Sequence, residues 1–116
     1  MISDLAARVF TTRDIAHREH WKCKSYAMHV ALGEFYEESI KAIDAVVENY
    51  QGMFAPIESF DVCTTPIKDI RSYLQDEADW IEANLEELSK GSASISNQIL
   101  ALISVYTRTV FLLGLK

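Results

Sequence analysis

His20, Trp21, His29, Asp44 and Glu48 are the residues of this chain whose types and spacing could do chemistry. The two imidazoles and two carboxylates form a mixed nitrogen and oxygen donor set. Such a set suits iron, zinc or manganese better than calcium, which prefers oxygen alone. His29 and Asp44 are 15 residues apart, and Asp44 and Glu48 are 4 apart. On a helix turning about 100° per residue, 15 residues end about 60° past whole turns and 4 residues about 40° past one. His29, Asp44 and Glu48 therefore fall on one broad helical face, with the two carboxylates as direct neighbours. Two like charges one turn apart repel each other, so a cation beside Asp44 and Glu48 is favoured. His17 precedes His20 by one turn, and Asp14, His17 and His20 could form a second, weaker metal surface.

These residues need helices to position them, and the surrounding sequence supplies helical patterning. Between Ser3 and Tyr50 there is no proline and only one glycine, Gly33. Leu5, Val9, Ala16, Tyr26, Leu32, Tyr36, Ile40, Ile43 and Val47 recur at spacings compatible with a 3.6-residue period. The pattern predicts a first helix at about 3–22 and a second at about 25–50, separated by a short turn near Lys22–Lys24 with Ser25 as cap. One continuous helix is the alternative. Gln51-Gly52 reads as a stop. The stretch from Met53 to Thr64 lacks a sustained period and contains Pro56, so it is the one long connection. Thr65-Pro66 predicts the start of a third helix, about 66–90, with threonine at the cap and proline at the first turn. Ile67, Ile70, Leu74, Ile81, Leu85 and Leu88 line one side of it, and Asp76, Glu77, Asp79, Glu82, Glu86 and Glu87 crowd the remainder as a solvated face. Lys90-Gly91 closes it. A fourth helix, about 94–113, is apolar nearly all round, which predicts burial on most sides and contact with a partner subunit.

The whole chain, 1–116, reads as one domain, all-α: a four-helix bundle with one long crossover between its second and third helices, the connectivity of the ferritin-like group. The formal net charge of −6 argues against a nucleic-acid partner, whose phosphates call for a basic surface. Cys23 and Cys63 stand far apart and outside any CxxC, as expected of reduced thiols in a cytoplasmic protein. Asp4 and Arg8 interrupt the stretch where a secretory leader would be apolar. The most apolar segment, Ile95 to Thr107, holds Asn97 and Gln98 and is followed by Arg108, so no membrane span is expected.

The run H20-W21-K-C-K-S-Y26-A-M-H29, followed by F35-Y36 and then D44-A-V-V-E48 ending at Gly52, resembles the Dps family of miniature ferritins. The resemblance covers roughly residues 15–52. It implies a site shared across a two-fold interface, with His20 and His29 from one subunit and Asp44 and Glu48 from the other. It further implies a homo-oligomer and a possible ferroxidase, binding ferrous iron and oxidising it with peroxide, with Trp21 beside the metal. The sequence departs from that family in three places. The histidines are 9 residues apart, closer than in the family. Gly33 stands where the family has an acidic residue one turn after the second histidine, so Glu34 or Glu37 could substitute only by reaching sideways. No basic tail is present, so neither DNA binding nor a hollow shell is implied. The competing expectation is a non-catalytic helical dimer that kept the bundle and lost the metal. Zinc or manganese on the same residues is the alternative to iron.

Overall fold

The computed structural model describes residues 1–115. Among them there are helices and no strand, in the order α1 (Ile2–Lys22), α2 (Tyr26–Met53), α3 (Ile70–Ala83), α4 (Leu85–Ser89) and α5 (Ala93–Leu113). The all-helical expectation holds, and the first two helices are separate.

The break between α1 and α2 has a local cause. Cys23 leaves the helical region (φ −69°, ψ 156°), and Ser25 caps the next helix, its hydroxyl accepting from the Met28 N–H at 3.2 Å. Such a hydroxyl satisfies one of the donors that a helix N-terminus leaves orphaned. At its far end α2 runs through Gly52 to Met53, past the expected stop. Gly52 meets nothing there and is helical, so glycine marked a permitted end and not a required one.

The third predicted helix begins later than Thr65-Pro66 suggested. Its cap is Asp69, whose carboxylate accepts from the Ser72 N–H at 2.9 Å and from the Ser72 hydroxyl at 2.7 Å. The Thr65 carbonyl is instead bound by Arg18 at 2.9 Å, which ties the connecting segment to α1. Asn84 interrupts the same predicted helix: its side chain bonds the Trp80 carbonyl at 2.8 Å, and α4 follows as a separate turn and a half. Lys90 (φ 49°) and Gly91 (φ 78°) then both adopt left-handed backbone, which glycine accommodates without strain. Ser92 caps α5 through the Ile95 N–H at 3.2 Å.

Contacts fix the relative directions. His17 lies on Tyr36 and His20 on His29, so α2 returns antiparallel to α1. Residues 54–69 then run back along the molecule, with Phe60 edge-on to Phe10 at 5.5 Å and Thr65 beside Arg18. From there α3 descends against α1, Glu77 meeting Arg8 and Thr12. Finally α5 rises against α2 and α3, as Asn49–Gln98, Glu34–Arg108 and Arg71–Val110 contacts require. The core is one cluster that includes Leu5, Ile15, Leu32, Phe35, Ile43, Leu74, Ile81, Leu88, Ile99, Leu102 and Tyr106. Each aliphatic side chain there is worth roughly 1.5–3 kcal/mol of burial, so the helices depend on packing and not on propensity.

The last helix falls within a residue of the expected 94–113. At 21 residues, α5 is long and apolar enough by length and composition to cross a membrane. In this fold its stripe of Ile95, Ile99, Leu102, Ile103, Tyr106 and Thr109 is buried against the other helices, while Leu100 and Phe111 are exposed.

Candidate functional site

At the α1–α2 turn, the last turn of one helix and the first of the next bring two histidines face to face. The His20 and His29 rings stack with centroids 3.6 Å apart and planes 16° apart. His29 Nδ1 lies 2.8 Å from the His20 carbonyl oxygen, and His20 Nδ1 is hydrogen-bonded to the His29 carbonyl oxygen in return. A carbonyl only accepts, so both Nδ1 atoms carry hydrogen and donate. In the neutral rings each Nε2 is then the unprotonated, ligating nitrogen. Lone pairs lie in the plane of their ring. Two stacked planes therefore do not converge on a single ion; each ring presents its own nitrogen.

Gly33 lies against this pair. A Cβ built at Gly33 would sit 3.1 Å from His20 Cε1 and 3.4 Å from His20 Nδ1. Any side chain at this position would require the His20 ring to give by a few tenths of an ångström. Gly33 is the surface on which that ring rests.

His17 stacks on Tyr36 at 4.0 Å and tilts against Trp21 at 4.4 Å, with the Arg13 guanidinium 5.1 Å from the Tyr36 ring. Desolvation lowers the His17 pKa, and neighbouring Arg13 and His20 lower it further, with Asp14 acting the other way. Trp21 is 71% exposed and lies against His17.

The carboxylates are elsewhere. Asp44 and Glu48 are both exposed on α2, about 22 Å and 28 Å along the helix from His29 at 1.5 Å per residue. One chain does not bring them to the imidazoles. Among the described residues no group of three or more His, Cys, Asp or Glu side chains could hold a metal ion. Glu37 lines a groove of about 510 Å³ between α2 and α5, together with Glu34, Glu38 and Arg108, and Arg108 pairs with Glu34 at 3.0 Å.

A second polar cluster was not anticipated. Glu77, expected on the solvated face of the third helix, is buried and pairs with Arg8 at 2.8 Å, with the Thr12 hydroxyl at 3.4 Å from its other oxygen. Desolvation raises the Glu77 pKa, and Arg8 draws it partly back. Tyr106 is fully buried, its hydroxyl among Thr12, Glu77, Tyr73 and Arg8, and burial raises its pKa strongly. Among the described residues neither the Tyr106 hydroxyl nor Arg8 Nε has a partner at hydrogen-bonding geometry. The signal was spacing: residues 70, 74, 77 and 81 form one helical stripe, and Glu77 occupies a core position within it.

No curated protein and no solved structure matches the chain. One family model does, over residues 20–113, from the first histidine of the stacked pair to the last residue of α5. That match spans most of the chain, which therefore belongs to the family of unknown function DUF5856.

Proposed function

We propose that this chain is a ferritin-like helical protein of Dps type that binds ferrous iron where two copies meet and oxidises it there. His20 and His29 of one copy, each presenting its own Nε2, and Asp44 and Glu48 of the other line the interface at which the metal binds. The observation that carries this reading is the reciprocal histidine pair. It holds both rings rigidly and leaves an unprotonated Nε2 on each, with no intrachain carboxylate at hand. The distance of about 22 Å along α2 then makes a second copy necessary. The order of the helices supports the same reading. Two antiparallel helices, a long return segment and two more antiparallel helices are the connectivity of ferritin-like bundles.

The residues have separable tasks. The backbone carbonyls of His20 and His29 fix the tautomers, so a metal meets prepared ligands. The carboxylates supply negative charge that offsets the rise from Fe²⁺ to Fe³⁺. Protons compete with the metal for the same imidazole nitrogens, so metal binding is pH-dependent.

The test uses two variants in one tube. His29→Ala and Asp44→Ala each abolish stoichiometric anaerobic Fe²⁺ binding, with helix content unchanged by circular dichroism. When the two are unfolded and refolded together, the heterodimer regains one intact site, so about a quarter of wild-type capacity returns. Capacity untouched by either substitution, or no recovery on mixing, rejects the shared site.

The histidine clasp and Gly33 also favour a second reading, a helical interaction protein in which the two imidazoles only close the turn. A preparation without metal, whose melting temperature ignores added Fe²⁺, Mn²⁺ and Zn²⁺, supports that reading over the first.

A further inference from the structure

Ala93, Asn97, Leu100, Ser104, Thr107 and Phe111 are all exposed on α5. Their spacings alternate between four and three residues, which sets them in one stripe along the outside of the helix. None of the six is charged, in a chain that is 24% charged. All 17 acidic residues lie at or before Glu87. The one charge on α5 is Arg108 at the edge of the stripe, and it is paired with Glu34 at 3.0 Å. Two large apolar side chains stand out from the stripe, Leu100 at 44% and Phe111 at 62% exposure. Its hydroxyls cost little to cover. Ser104 donates to the Leu100 carbonyl at 3.1 Å and Thr107 to the Ser104 carbonyl at 3.4 Å, so both stay satisfied when water leaves. A solvated helix face carries charge as a rule; this one has the composition of a contact.

We propose that a second copy of this chain covers the stripe, the two α5 helices packing antiparallel about a two-fold axis at the level of Leu102. Side-chain size sets that register. Phe111 then meets the partner's Ala93, Leu100 meets the partner's Ser104, and Asn97 meets the partner's Thr107. Large lies on small at each apolar pair, and the symmetry repeats every pair. A slip of one heptad sets Phe111 on the partner's Leu100, large on large, and leaves Ala93 and Asn97 outside the contact. Charge selects the face. Copies of net charge −6 repel wherever acids oppose acids, and α5 is the helix that carries none. Lipid is the competing occupant, since α5 is long and apolar enough to cross a membrane. Alanine, serine, asparagine and threonine between two large residues offer a bilayer little apolar area, but they let two helices approach closely. A contact one helix wide and about 27 Å long is at the small end of specific interfaces, below about 1,200 Å² in total. Association is therefore weak, in the micromolar range. His20, His29, Asp44 and Glu48 all lie outside α5, so this contact is independent of the iron site.

Sedimentation equilibrium of the full chain in EDTA tests the contact with metal removed. The expected result is a reversible monomer–dimer equilibrium. Leu100→Ser removes an anchor, and Ser104→Leu sets a second large side chain against the partner's Leu100; each should weaken the dimer about tenfold. Both positions are exposed, so circular dichroism of the variants should match wild type. The combined Leu100→Ser, Ser104→Leu protein exchanges large and small across the axis and should recover most of the affinity. A double variant no tighter than the single ones overturns the register. A dimer that neither single substitution weakens places the contact elsewhere and also overturns the proposal. So does a protein that stays monomeric at every concentration, and one that floats with phosphatidylcholine vesicles assigns the face to lipid instead. A wild-type dimer in EDTA with the expected variant pattern supports the proposal even where the iron titration fails.

Discussion

Tyr106 brings a hydroxyl into the core without a partner, and a buried unsatisfied group costs about 1–3 kcal/mol. Tyr106→Phe keeps the ring against Phe35, whose centroid is 4.9 Å away edge-on, and removes that cost. The variant is expected to be about 1 kcal/mol more stable in urea denaturation. Glycine offers a paired comparison. Gly52→Ala, with open space around the new methyl, should gain about 0.5–1 kcal/mol of helix propensity. Gly33→Ala should lose that gain, because its methyl presses on a His20 ring held by its own hydrogen bond; denaturation of both variants beside wild type checks the difference. For Glu77 the sign of the pH effect is set by burial, which raises its folded pKa above the ordinary carboxyl value. Its contribution is complete below the unfolded pKa and is lost as pH rises through the folded one. Unfolding free energies of wild type and Glu77→Gln, compared from about pH 4 to about pH 7, should shift against wild type as pH climbs. At this scale the sequence was half legible. The histidine pair announced itself by residue type, but Glu77 looked like one acid among six and only its place in the 70, 74, 77, 81 stripe betrayed burial.

At the scale of elements, ends were harder to read than middles. The apolar periods located all four helical runs, since burial of a stripe is a property summed over many residues. Termini depend on single hydrogen bonds. Thr65-Pro66 could have opened a helix, but the Thr65 carbonyl is engaged by Arg18, and Asp69 does the capping instead. Asp69→Ala is expected to cost about 1 kcal/mol at neutral pH. Hydrogen bonds from Ser72 lower the Asp69 pKa, so the capping advantage is present above the unfolded carboxyl pKa and fades as pH falls through the folded value. Denaturation midpoints of the two proteins should therefore converge in acid. Asn84 was equally hidden: a side-chain bond to the preceding turn, at the Trp80 carbonyl, accompanies the break in a pattern whose apolar stripe continues through it.

For the molecule as a whole, one segment carries the connectivity. Residues 54–69 have no regular structure and return the chain along α1, anchored by Phe60 on Phe10 and by Arg18 on Thr65. Asp61 through Pro66 are all exposed. Limited proteolysis should cut there first, and the two halves should remain associated on a native gel, because α1 with α3 and α2 with α5 share the core. Phe60→Ala should speed that cleavage by loosening the anchor. The need for a long connection was legible from Pro56 and the missing period; its path was not, since that depends on contacts between residues about fifty apart, such as Phe10 with Phe60.

The histidine clasp works as a gauge of chain length. Each ring grips the backbone of the opposite helix, so the two grips close only when the turn between them has its present length. One residue inserted between Lys24 and Ser25 leaves Ser25 able to cap α2, yet moves the second histidine out of register with the first. A chain that closes the same clasp is expected to keep the nine-residue interval, whereas one that has lost either histidine is free to lengthen the turn. The interval is thus a length constraint written in the sequence, one that an inserted residue in the turn would break.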